Sequence, residues 1–527
     1  MNAEGTCAGC PRRDFLKTLV ALTGAGAVGG SFAAPLPPAV PAERIPGKKG
    51  ALKVRVVFAF NTKEEVQTSP DWPNRGFDFR PVMKNMVDAL NAGVKDVEFL
   101  VGKASSEEDG RKIAEADQAS GDIVGYVVVQ MNPWHRAVFG LVASGRPVLY
   151  TSLPYAGDGG WLIYDSDLRR KNVRGYESIC SFDFGHVVAM AGAFAKLRTG
   201  TPDDFAAAAR ATRLSLTPAP SGRRVREDAL RCLTPAETLA KVKGLRILVL
   251  GSGWGDDEAA MANDFGVVIE HCEFSELNAL WEKVTEARAR PLLDDWKRSA
   301  LDIVDVSDDV LLGVARMYFA MEDLLRAHGA AALTIDCLGA CYSGKIKAYP
   351  CLGFMELQDR GLMGTCESDI ASLLTMLVFG AMTGRIGFIS DPALDAGTRS
   401  IVYAHCVSTR RFFGKSGPVS AYEIHTHAED REGASVRALG PVGFPVTTVK
   451  IIARKRVIGL HTAVTTGNDP DSRACRTKIV AEIPGDYEKM SRSWDILDWH
   501  RVTFYGDFAP AVKALAEKLG YELVLES

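Results

Sequence analysis

The stretch Val54-Arg55-Val56-Val57-Phe58-Ala59-Phe60, the amphipathic segment Phe79–Ala92 and the run Val97-Glu98-Phe99-Leu100-Val101-Gly102 follow one another near the start of the chain. A short apolar run, a helix-period stretch and a second apolar run make a β-α-β pattern. Such patterns imply a parallel sheet with helices on both faces. Working outward, Ile123–Gln130 and Pro147–Ser152 read as further buried strands, with the amphipathic stretch Glu107–Gln118 before them. Pro218, Pro220, Ser221 and Gly222 then mark a boundary, so residues 51–220 form a first α/β domain.

A second α/β domain is expected over residues 221–394. Leu245–Leu250 is an apolar strand ending in Gly251-Ser252-Gly253-Trp254-Gly255-Asp256, and Val267–Phe274 and Ala331–Cys337 are further strands. Val310–His328 and Asp369–Met382 read as helices, and Gly387–Ser390 as a short closing strand. From residue 395 to 527 the texture changes. Ser400–His405, Tyr422–His427, Val446–Ile452, Val457–Val464 and Lys478–Ile483 are rich in β-branched residues and punctuated by turn formers. Ala509–Leu519 makes one helix and Tyr521–Leu525 a last strand. The expected fold class is therefore α/β: two Rossmann-like α/β domains followed by a β-rich, barrel-like C-terminal domain.

Lys and Arg total 62 against 65 Asp and Glu, a net charge of -3, which gives no electrostatic case for nucleic acid or an anionic membrane. No run in the mature chain is long and apolar enough for a membrane span. The first 34 residues stand apart. Arg12-Arg13-Asp14-Phe15-Leu16-Lys17 precedes a mildly apolar Gly/Ala-rich run, which resembles the signal read by the twin-arginine translocase. Pro11 stands where that signal usually has Ser or Thr. Residues 35–50 read as a linker. Export to the periplasm as a folded protein is the expectation.

Several motifs need weighing. The turn after Leu250 approaches a dinucleotide fingerprint, but its third glycine falls one place early and Asp256 would repel a pyrophosphate. His425 and His427 share a face of a strand, where a solvated pair is the favoured reading. Cys337, Cys341, Cys351 and Cys366 cluster without zinc spacing, so buried thiols or one disulfide are expected. The polar loop Ser69–Asp78 and the pair Trp134-His135 read as surface features.

Three residues carry a more specific signal. Glu367 sits in Thr365-Cys366-Glu367-Ser368-Asp369 at a helix entry, where amide donors favour a carboxylate. Asp391 follows an apolar strand and precedes Pro392, a position that would present it at the carboxyl end of a parallel sheet. His500 shares a strand face with Val502 and Phe504 and so points inward. In that order these residues resemble the metal-binding triad of L-fucose isomerase. Cys366-Glu367-Ser368-Asp369-Ile370, Ser390-Asp391-Pro392, Tyr403-Ala404-His405-Cys406, His427-Ala428-Glu429 and His500 to Gly506-Asp507 are similar to fucose-isomerase-like sequences. The resemblance, to the L-fucose/L-arabinose isomerase superfamily, covers essentially the whole mature chain.

It implies Glu367, Asp391 and His500 as metal ligands, with Glu367 and Asp391 also as the acid/base pair. His405 falls where arabinose isomerases place an additional histidine; Cys406 departs from that group, which leaves His405 as a further ligand or a substrate contact. Two carboxylates and an imidazole favour Mn²⁺, or Mg²⁺ or Co²⁺. The implied reaction is aldose–ketose isomerisation of a monosaccharide through an enediolate, in a homo-oligomer (trimer or hexamer). An epimerase or lyase on the same scaffold, or an exported non-catalytic sugar-binding protein, are the alternatives.

Overall fold

Residues 50–527 are described by a computed structural model of the chain; the expected twin-arginine signal and all but the last residue of the expected linker lie outside them. In the first unit five strands, β1 (Leu52–Ala59), β2 (Val97–Ala104), β3 (Ile123–Gln130), β4 (Val148–Ser152) and β5 (Tyr176–Ile179), form an all-parallel sheet in the order β2-β1-β3-β4-β5. Every residue of β3 and β4 is buried, so both faces are covered. That is why these runs lack an apolar–polar alternation.

The second unit is a four-stranded parallel sheet. Its strands are β6 (Arg246–Leu250), β7 (Val268–Cys272), β9 (Ala332–Ile335) and β10 (Met363–Cys366), in the order β10-β9-β6-β7. The short β8 (Ile303–Val304) leaves this sheet and pairs with a later hairpin, β13 (Tyr422–His425) and β14 (Ser435–Ala438).

The remaining strands build the third unit: β11 (Phe388–Asp395), β12 (Ser400–His405), β15 (Pro445–Ile452), β16 (Val457–Asn468), β17 (Thr477–Glu482), β18 (Arg501–Tyr505) and β19 (Glu522–Leu525). The order is β15-β18-β11-β12-β17-β16-β19, and β15 also pairs with β16. That pairing closes the antiparallel strands into a barrel and leaves β19 as a parallel addition on β16. The expected two α/β units and barrel-like third unit are what the chain forms.

One strand differs from expectation. The run Gly387–Ser390 looked like the end of the second parallel sheet. It starts at Phe388, continues through Pro392 to Asp395, and lies between β12 and β18 in the barrel. Asp391 is therefore presented by an antiparallel strand and not by the carboxyl end of a parallel one. A short apolar run ending in Asp-Pro carries no signal of which sheet it joins. Among the described residues no helix is long and apolar enough to cross a membrane.

Candidate metal centre

Glu367 follows β10 directly. It and Ser368 are consecutive residues in the left-handed region, with φ of 64° and 54°. Such a pair costs free energy unless its surroundings fix it. Here they do. The Ser368 amide donates to Ile335 O at 3.0 Å and its Oγ to Leu250 O at 2.9 Å. Trp254 donates through its backbone to Ser368 O at 3.0 Å and through its indole to Glu367 O. The glycine-rich turn thus has a use unrelated to nucleotides. Gly255, at φ 96°, lets the turn lie against Asp369, where a Cβ would stand 2.8 Å from Asp369 Oδ1. Asp256, which would repel a pyrophosphate, accepts the backbone amides of Ala453 and Arg454.

Asp369 starts the helix Ile370–Thr383 as its N-cap, accepting from the Ser372 amide at 2.8 Å. The same carboxylate receives Lys450 Nζ at 2.9 Å and faces His500 Nδ1 at 2.9 Å, all fully buried. Burial opposes its ionisation, but the Lys450 ammonium and His500 outweigh this and hold the Asp369 carboxyl well below the usual range. An anionic Asp369 requires a proton on His500 Nδ1, and that turns the Nε2 lone pair toward the centre in the neutral ring. A carboxylate behind a histidine is the common arrangement at metal sites.

His500 immediately precedes β18. Arg501, wholly buried over the Trp494 ring, grips the turn through the carbonyls of Leu497, Asp498 and His500 at 3.1, 2.9 and 3.2 Å. Glu526 accepts from Arg501 Nη2 at 2.7 Å. On the neighbouring strand, Ser390 pairs with Arg501, and continuing that register sets Asp391 opposite His500. Asp391 accepts from the Trp499 indole and from Cys475 Sγ, the latter at 3.4 Å.

These elements bring Glu367, Asp391, His500 and His405 together, with one potential ligand atom from each within 4.8 Å of the others. His500 Nε2 lies 3.1 Å from Asp391 Oδ1 and 3.8 Å from Glu367 Oε1, and His405 Nε2 lies 3.9 Å from both Glu367 Oε1 and Asp391 Oδ2. Ligand atoms about 2.1 Å from one cation stand about 3 Å apart when adjacent and about 4.2 Å apart when opposite. The observed separations fall in that interval. His500 Nε2 is buried and has no hydrogen bond of proper geometry, which suits a lone pair aimed at a cation. The group could therefore hold a metal ion, and the residues fit one. Without it the carboxylates act on the ring. Burial opposes the charge, yet Asp391 and Glu367 push the His500 imidazole up to about 9. Glu367 keeps 7 % of its surface exposed while Asp391, His405 and His500 keep 1 %, 2 % and 0 %, so all four are buried and Glu367 the least completely.

All four expected site residues meet here. Sequence reasoning missed Lys450, Trp499 and Cys475 as partners, and took Asp369 only as part of a helix start. His427 is buried, not solvated as expected, with Nδ1 3.1 Å from Asp430; His425 is half-buried and pairs with Glu423. The loop at 69–78 is less peripheral than its composition suggested. Trp72 is buried among Ala393, Ala404, Cys406 and Cys475, and Pro73 O accepts the Ala474 amide at 2.8 Å. Trp134 likewise packs edge-on against Trp499 at 5.9 Å between ring centroids. The nine described cysteines are free thiols, mostly buried.

Two parallel-sheet α/β units, a closed antiparallel barrel and an acid–histidine centre at their junction define the class of scaffold. No family model matches the chain. It is similar to the sulfoquinovose isomerase of Clostridium sp. (strain MSTE9), 24% identical over 304 residues, or 55% of this chain and 66% of that protein. It is also similar to the sulfoquinovose isomerase of Alkalicoccus urumqiensis, 24% identical over 178 residues, or 32% of this chain and 40% of that protein. The chain thus spans just under two thirds of the first relative, at 66%, and two fifths of the second, at 40%.

Proposed function

We propose that this chain is a divalent-metal-dependent aldose–ketose isomerase acting on a monosaccharide, in line with its superfamily resemblance and with the isomerase names of its relatives. The observation that carries the reading is the convergence of Glu367, Asp391 and His500 in one buried cluster. Glu367, Asp391 and His500 would hold the ion, Mn²⁺ or else Mg²⁺ or Co²⁺. When bound, such an ion supplies Lewis-acid polarisation of adjacent sugar oxygens.

The protein's own groups divide the remaining work. Asp391 is fixed by hydrogen bonds from the Trp499 indole and Cys475. Glu367 is the least buried of the group. It removes the proton from the hydroxyl-bearing carbon beside the carbonyl and returns it to the former carbonyl carbon, while the hydroxyl proton passes to the former carbonyl oxygen with Asp391 as the other member of the acid/base pair. Asp391 and the indole of Trp499 keep the opposite wall rigid. Burial around the ring of His500 excludes water from the carbanion-like stage. Export by the twin-arginine route to the periplasm and a homo-oligomeric state, trimer or hexamer, belong to the same proposal.

The test is solvent exchange. Protein loaded with Mn²⁺ is incubated in deuterated water with a panel of aldoses and ketoses that includes sulfonated hexoses. Deuterium at C1 or C2, absent with Glu367→Gln, supports the isomerase. A fully loaded protein that binds a sugar without any exchange would instead be a receptor.

A further inference from the structure

A second group of metal-ligating side chains lies outside the centre described above. Glu270 and Cys272 stand two residues apart on β7, the edge strand of the second sheet, and so share one face of it. His328 is the last residue of the helix Asp308–His328. One potential ligand atom from each of the three lies within 4.8 Å of the others. His328 Nδ1 is 2.6 Å from Glu270 Oε1, and its Nε2 is 2.8 Å from Oε1 of Glu276, in the first turn of the helix Phe274–Lys283. The second Glu270 oxygen accepts from Arg246. Ion pairs to an imidazolium account for the carboxylates and the ring. They do not account for Cys272. It keeps only 7 % of its surface, its thiol has no hydrogen-bond partner among the described residues, and its Sγ is turned toward Glu270 and His328. Burial and the carboxylates of Glu276, Glu270 and Glu273 push that thiol up to about 11. The same negative charges that oppose a bare thiolate favour a thiolate bound to a cation.

We infer that Glu270, Cys272 and His328 form a Zn²⁺ site that clips the end of the helix Asp308–His328 to the edge strand β7. One thiolate, one imidazole and one carboxylate are a zinc donor set, and water fills the fourth position of the tetrahedron. The ion takes His328 Nδ1, on the side of Glu270. Glu276 lies outside the three-residue group and stays on Nε2–H, as the carboxylate that orients a ligating ring. Binding displaces the thiol proton of Cys272 and the Nδ1 proton of His328, and both pass to solvent with no change of oxidation state. A thiolate also sorts metals. It suits Zn²⁺ and not Mg²⁺ or Mn²⁺, whereas the cluster at Glu367 offers carboxylates and imidazoles. The inference stands independently of what Glu367 and its neighbours do.

Co²⁺ as a coloured stand-in for Zn²⁺, added to the full chain, decides this. The parent should show the near-ultraviolet absorption of a thiolate-to-Co²⁺ charge transfer, and Zn²⁺ should bleach it. The band should persist in His500→Gln, which alters only the other cluster, and vanish in Cys272→Ser. Zn²⁺ affinity, from competition with a chromogenic chelator, should fall about 100-fold or more in Cys272→Ser and in His328→Gln. His328 lies at the surface end of its helix, so His328→Gln tests the site without touching the buried thiol. A parent chain that takes up Co²⁺ without the band, or takes up none, would overturn the inference. So would a band that survives Cys272→Ser or is lost in His500→Gln, because the thiol responsible would then lie elsewhere. Failure of the proposed isomerase leaves a different mark: Mn²⁺ affinity unchanged in His500→Gln, with the Cys272 band intact.

Discussion

Asp369→Asn is the substitution that most directly probes how the centre is built. Asn keeps the shape and the side-chain oxygen of an N-cap, so the start of the helix Ile370–Thr383 loses only a few tenths of a kcal/mol. Two other contacts change more. Lys450 Nζ now meets Asp369 Oδ2 at 2.9 Å and Oδ1 at 3.2 Å, with Ser372 Oγ at 2.7 Å as its remaining partner. Removing the charge leaves a fully buried ammonium uncompensated, at a cost of about 3–5 kcal/mol in the metal-free protein. The neutral amide also stops dictating which His500 nitrogen carries the proton. Loss of such an orienting carboxylate lowers metal affinity about 10- to 100-fold, or about 1.4–2.7 kcal/mol. Lys450→Met in the Asn background separates the two effects, because it removes the stranded charge but restores nothing behind His500. The assay pairs thermal melting of metal-free protein with Mn²⁺ affinity by chelator competition. Stability should fall in Asp369→Asn and largely return in the double variant, with affinity low in both. Mn²⁺ affinity within about threefold of the parent in Asp369→Asn would refute the argument and reduce Asp369 to a helix cap.

Glu367→Gly should abolish Mn²⁺ binding, yet raise the melting temperature of the metal-free protein, because glycine tolerates φ 64° and one crowded carboxylate is gone; a gain of about 1 kcal/mol is expected, and differential scanning calorimetry measures it. Glu526 is fully buried, and although burial opposes its ionisation, Arg501 and His461 lower its carboxyl from 4.5 to about 2. Its folded-state value is depressed, so its contribution, on the order of 3 kcal/mol, is complete above about pH 4.5 and disappears as pH falls toward 2. Denaturant titrations from pH 6 to 2 should show a shallower acid loss in Glu526→Gln. Trp499→Phe removes the indole donor from Asp391 and the edge contact to Trp134; kcat should drop more than KM rises, read from initial rates with the sugar identified by exchange. Gly160→Ala places a Cβ 1.4 Å from Pro133 O, and the variant should accumulate as insoluble chain, which a solubility assay reports directly.

Much of the architecture is written in local periodicity. Runs such as Ile123–Gln130 are apolar throughout because both faces are covered, and that alone identifies a parallel sheet. The β-branched, turn-punctuated texture after residue 395 likewise announced a barrel. What periodicity cannot express is partnership between distant strands. The strand with Asp391 joins β12 and β18 through register, not composition, and this is why its sheet was misplaced. At the site, the acids and histidines were legible because their types and order resemble a known family. Lys450 was not, since a lysine within Val446–Ile452 reads as a solvent-facing position and only the approach of Asp369 explains its burial. Trp72 was hidden by its polar neighbours, which gave no sign that the barrel covers it.

The candidate ligand set also has an order in time. Glu367 and Asp391 leave the ribosome well before His500, and the turn bearing that imidazole is clamped by Arg501, which in turn needs Glu526. A nascent chain therefore displays two acids without their ring, a weak and unselective trap for cations. The full candidate centre is assembled only when β18 closes beside β11 and the last strand docks. On the proposed metal-centre reading, the ions surrounding the protein at that late step, not those it met during elongation, would set which one it captures.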